Sequence, residues 1–138
     1  MDVRELTDLR HARDMIDWHS ERPLDVPTIA RAANMSPAHF ARRYRQTFGE
    51  TPYQHLVSRR VERAKALLRN STTPVSAIAL LVGFTTLSAF TARFRELAGV
   101  TPTEYRSTAI EAYGVPACMG RYLERSSRNQ EAPPTTPR

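Results

Sequence analysis

The stretch AHFARRYRQTF, residues 38–48, sets Arg42, Arg43 and Arg45 beside an aromatic seam, Phe40, Tyr44 and Phe48, at i, i+4 and i+8 spacing. A guanidinium is a planar fork of donors that can address guanine O6 and N7 together or grip a phosphate. At helical spacing Ala38, Ala41, Arg42 and Arg45 share the side away from Phe40 and Tyr44. Arg42 is the leading base-reading candidate, against the plainer alternatives of a phosphate contact or an exposed charge. Arg45 can do the same or grip phosphate, and Ala38 and Ala41 can meet thymine methyl groups. Ser36, His39 and Arg43 are candidates for phosphate contact or positioning, with an ordinary polar surface the alternative for His39. The aromatic spacing itself reads as core rather than as a base-stacking platform.

Other chemistry is poorly provided for. Cys118 is the single cysteine, which excludes an intrachain disulfide and a cysteine-based zinc site. His11, His19, His39 and His55 are isolated in sequence and lack zinc-site spacing. There is no glycine-rich phosphate loop and no convergent acid, base or nucleophile set, so no catalytic residue, metal or cofactor is expected.

Charge points to an anionic partner. The 138 residues carry a net +6, with 19 Arg and one Lys, unevenly spread. Residues 1–25 hold four Arg against seven acids, residues 26–70 nine basic residues against two acids, and residues 71–138 seven Arg against five acids. The anion-facing region therefore falls in the first half. The N-terminus has no signal-peptide core, and no apolar run reaches the ~18 residues of a membrane span, so a cytoplasmic, nucleoid-associated location away from membranes is expected.

The elements that must position these arginines form an internal repeat. Residues 5–19 have the apolar spacing of an amphipathic helix, followed by Pro23. LDVPTIARAAN offers Asp25 as an N-cap and Ile29, Ala30 and Ala33 as the buried face of a short helix. Ser36-Pro37 then starts the arginine-bearing helix. The same pattern recurs 49 to 50 residues later. Ile78-Ala79 answers Ile29-Ala30, Phe90 and Phe94 answer Phe40 and Tyr44, and Gly99-x-Thr101-Pro102 answers Gly49-x-Thr51-Pro52. Thr86 or Leu87 opens the second copy's long helix, with Phe90, Phe94 and Leu97 on its apolar side. Short helix, tight turn and capped second helix make a helix-turn-helix unit, so units of about 25–49 and 74–99 are expected. Residues 52–70, with Tyr53, Leu56 or Val57, Val61, Ala64 and Leu68 on one side, read as the helix that joins them. Its Arg59 and Arg63 can touch phosphate, face solvent or meet an acidic partner. Residues 108–138 form a separate extension, in which Pro116 and Gly120 oppose one long helix and the polar tail is expected to be disordered.

IALLVGFTTLSAFTARFRELAGVTPTEYR, Ile78 to Arg106, resembles the second half of the DNA-binding domain of AraC/XylS-type transcription regulators. IARAANMSPAHFARRYRQTFGETP resembles the less regular first half. The resemblance implies an all-α body of about seven helices over residues 1–107, with tandem helix-turn-helix units joined by a long central helix. It also implies a monomer that binds double-stranded DNA at two successive major grooves and works with RNA polymerase, usually as an activator. One departure is Ala92, where relatives commonly carry an arginine. Ala89 and Ala92 leave the second unit only methyl contacts to bases, while Thr86, Ser88 and Arg93 are positioned for phosphate. Specificity is then expected to come mainly from the first unit. A protein-interaction module or anti-regulator that kept the fold and binds DNA weakly is the alternative.

Overall fold

A computed structural model describes residues 2–113, with the side chains of 111–113 left aside. Seven helices follow in order: α1 (Val3–His19), α2 (Val26–Ala32), α3 (Pro37–Phe48), α4 (Pro52–Asn70), α5 (Val75–Leu81), α6 (Leu87–Ala98) and α7 (Pro102–Tyr113). No strand occurs among the described residues, so the all-α expectation holds. The readings attached to Pro116, Cys118, Gly120 and the polar tail lie outside them. The described residues divide into two compact units, one ending at Arg60 and the other starting at Val61, and the continuous helix α4 runs through the division.

The first unit is built around Leu9, Ala12, Ile16, Ile29, Ala30, Ala33, Phe40, Tyr44 and Leu56, all buried. Polar side chains start its helices. The carboxylates of Asp2 and Asp25 accept the N–H of Glu5 and Thr28 at 2.7 and 2.8 Å, and the Ser36 hydroxyl accepts the N–H of His39 at 3.3 Å. Helix α2 has only seven residues and survives by packing against α1 and α3. Asn34, at φ 59°, makes the turn from α2 into α3.

The second unit repeats these solutions. Ile78, Ala79, Val82, Phe84, Phe90 and Phe94 are buried. Thr86 caps α6 by accepting the Ala89 N–H at 3.0 Å. Gly83 makes the α5–α6 turn at φ 112°. Gly49 and Gly99 end α3 and α6 in left-handed geometry, each donating its N–H at 2.8 Å to the carbonyl of Arg45 and Arg95 respectively. Reciprocal capping boxes then open the next helices, Thr51 with Gln54 and Thr101 with Glu104.

Each unit also closes with an arginine fork on the end of an earlier helix. Arg60 donates Nε to the Ser20 carbonyl at 2.7 Å and Nη2 to that of Arg22 at 2.9 Å. Arg106 donates to the carbonyls of Leu68 and Ser71, both at 3.2 Å. These carbonyls at and beyond the helix ends would otherwise lack helical partners.

Two positions depart from the expected patterns. Leu97 and Tyr53, placed on apolar faces by periodicity, are half exposed at 52% and 50%. Leu97 sits in the last turn of α6, just before Gly99 ends the helix, and Tyr53 in the first turn of α4. Helix α7 runs beyond residue 107 to Tyr113 and buries Ala109.

Candidate nucleic-acid interface

Helix α3 turns its aromatic seam inward and its arginines outward. Phe40 and Tyr44 are fully buried, with ring centroids 5.5 Å apart in an edge-to-face contact. Polar contacts fix this seam as well. Burial raises the Tyr44 pKa above the usual tyrosine range, and its hydroxyl shares a hydrogen bond with His55 Nδ1 at 2.5 Å. His55 Nε2 donates to the Asp17 carboxylate at 2.8 Å, so the contacts tie α3 to α4 and α1.

On the outer side Ala38, Arg42 and Arg45 are exposed and Ala41 is half buried. Among the described residues, no carboxylate forms an ion pair with Arg42 or Arg45. These four residues therefore make a continuous edge of two methyls and two open guanidinium groups. Arg43 and His39 lie on a different flank. Glu5, from α1, places Oε1 2.8 Å from Arg43 Nε and 3.4 Å from His39 Nε2. Arg43 also donates Nη1 to Gln46 at 3.3 Å. Both candidates for phosphate contact are thus engaged by an internal carboxylate.

Helix α6 is the sparser counterpart. Thr86, Ser88, Ala89 and Ala92 are exposed on it or at its start. The Thr86 hydroxyl, which accepts from Ala89, keeps its own proton free to donate. Arg93 is bound at 2.8 Å by Glu96, one turn along the same helix. On α4, Arg59 lies 3.6 Å from Asp17, and Arg63 is exposed.

Two charged residues beside these helices were not singled out by the sequence reading. Glu5 could not be matched to Arg43, 38 residues away, although the acidic N-terminal segment signalled a source of carboxylates. Arg95 is exposed in the last turn of α6. The 50-residue register that pairs Gly49 with Gly99 also pairs Arg45 with Arg95, a signal present in the sequence.

No helix among the described residues is long and apolar enough to cross a membrane, and no metal-binding cluster of His, Cys, Asp and Glu occurs among them. The fold and its capped second helices define the class: tandem helix-turn-helix proteins. A family profile described as a helix-turn-helix domain matches residues 29–108. The chain is 31% identical over 91 residues to the probable transcriptional regulator LumQ of Photobacterium leiognathi, covering 66% of this chain and 37% of that protein. It is 35% identical over 81 residues to a putative AraC-like transcription regulator of Streptomyces antibioticus, covering 59% and 27%. The crystallised DNA-binding domain of AdpA, a global transcriptional factor in complex with a target DNA, superposes with a TM-score of 0.73 at 32% identity, covering 77% of this chain and 96% of that one. The chain belongs to the AraC-type family of helix-turn-helix transcription regulators. It spans about a third of the length of the curated relatives it matches.

Proposed function

We propose that this chain is a sequence-specific regulator that binds double-stranded DNA as a monomer, with α3 and α6 entering successive major grooves and the first unit setting most of the specificity. The observation that carries the reading is the outer edge of α3, where Arg42 and Arg45 stand exposed beside Ala38 and Ala41. A helix of this width fits the major groove, and an unpaired guanidinium fork can match guanine O6 and N7. The DNA complex of the AdpA domain, similar to this chain over 77% of its length, supports the same use of the fold. Thr86, Ser88, Arg59 and Arg63 are assigned to phosphate, positioning the protein without coding for sequence. Ala89 and Ala92 add methyl contacts. Work with RNA polymerase as an activator, in the cytoplasm, completes the reading, to be checked by transcription in vitro from a promoter carrying the selected site.

Selection of bound duplexes from a random pool, at two salt concentrations, tests the binding claim. Two boxes about one helical turn apart are expected, with the first more sharply defined. Arg42→Ala should then relax the preference at particular base pairs of the first box by about tenfold. An equal fall on all duplexes would instead make Arg42 a phosphate contact. Absence of a motif, together with tight binding to a protein partner, would favour an interaction module, which the small side chains of α6 would suit.

A further inference from the structure

We propose that Arg95 is the base reader of the second unit, taking a guanine in its major groove; this rests on the two-groove reading of DNA above. The internal repeat supplies the geometry. Phe40 and Phe90 are both fully buried, as are Tyr44 and Phe94. Gly49 and Gly99 end their helices at φ 85° and 82°, each bonded at 2.8 Å to the carbonyl four residues back, which belongs to Arg45 in one copy and Arg95 in the other. The two helices therefore share one rotational register. Ser88, Thr91, Ala92 and Arg95 occupy on α6 the edge that Ala38, Ala41, Arg42 and Arg45 occupy on α3.

Charge along that edge singles out one residue. Helix α6 carries two arginines, Arg93 and Arg95. Glu96 holds Arg93 at 2.8 Å, on the flank equivalent to the one where Glu5 and Gln46 hold Arg43. Arg95 is exposed, and no carboxylate among the described residues closes an ion pair with it; Glu104 of α7 feels its charge only at longer range. Ser88, Ala89, Thr91 and Ala92 are too short to span a guanine edge with two donors, whereas an arginine fork can. The loss at Ala92 is thus answered one turn along, and the second box should hold one well-defined G·C pair rather than none.

The duplex selection with the unaltered chain comes first, because recovery of no motif would sink the DNA-binding reading and this inference with it. With a two-box motif in hand, the unaltered chain, Arg95→Ala and Arg95→Lys are compared on duplexes changed one base pair at a time. The expected result is that Arg95→Ala loses about tenfold discrimination at one G·C pair of the second box and keeps the first-box preferences. Arg95→Lys should not restore it, since an ammonium group cannot reproduce the fork. A uniform fall on every duplex, rescued by lysine and accompanied by a salt slope smaller by about 0.9, would make Arg95 a phosphate contact and overturn the proposal. Unchanged binding would remove Arg95 from the interface. Thermal melting of each variant separates these outcomes from unfolding.

Discussion

At the residue scale the decisive fact is which arginines are already spoken for. Arg42, Arg43 and Arg45 look alike in sequence, yet only Arg43 is claimed by Glu5 and Gln46. A phosphate approaching Arg43 must compete with a carboxylate already 2.8 Å from its Nε. Glu5→Gln is therefore expected to strengthen DNA binding at low salt and to steepen the salt dependence by about 0.9 in log–log slope as Arg43 becomes available. Binding isotherms at four or more salt concentrations would check this. Weaker binding at an unchanged slope would mean that Glu5 serves to seat α3. Arg60 is a different case, an arginine with a structural task. It is 8% exposed, its pKa is lowered by burial, and it holds two backbone carbonyls near the end of α1. Arg60→Ala should cost about 2 kcal/mol by leaving the Ser20 carbonyl unpaired, the Arg22 carbonyl keeping the Leu24 N–H at 2.7 Å, with Arg60→Lys a poor substitute, as read by denaturant unfolding.

At the element scale, the sequence carried most of the architecture because helix ends are written locally. Asp25, Ser36 and Thr86 each cap the helix they precede, and the two Gly-x-Thr-Pro stretches stop one helix and start the next. Such signals act within about four residues, so periodicity and capping chemistry suffice to find them. The polar locks were not legible. Asp17 meets His55 across 38 residues, and Arg60 meets Ser20 across 40, contacts that exist only once the helices have packed. The exposed arginines of α3, Arg42 and Arg45, stand out in the sequence, whereas on α6 their counterpart Arg95 is marked only by the 50-residue register of the repeat. At Gly49 and Gly99 an added Cβ would meet nothing within 4 Å, so the cost of alanine there comes from the left-handed backbone alone. Gly49→Ala and Gly99→Ala should each destabilise by about 1–2 kcal/mol, measurable as a shifted denaturation midpoint without loss of helix content.

At the scale of the whole molecule, the internal repeat gives two units with one design and different chemistry, so they should answer differently to acid. Their capping boxes show the difference directly: Gln54 closes the box that opens α4, and Glu104 the box that opens α7. Hydrogen bonds from Thr101, first from its backbone, lower the Glu104 pKa, with the charge of Arg95 adding a smaller part. A depressed carboxyl pKa contributes stability that is fully present above the unfolded value of about 4.3 and is lost as pH falls through the folded value. Glutamine makes the same bonds without titrating. Glu104→Gln should therefore melt slightly below the unaltered chain at neutral pH, where it lacks the charge-assisted part of these bonds, and should flatten the loss of stability on acidification. Asp25, which caps α2 and is likewise held below its usual pKa by Thr28, keeps the first unit acid-sensitive. Amide hydrogen exchange at pH 6 and at about pH 3, followed separately over α2 and α7, would check the division. Protection in the α7 segment should persist in Glu104→Gln where it falls in the unaltered chain, while α2 behaves alike in both; equal loss in α7 of both chains would show that its cap does not govern the acid response.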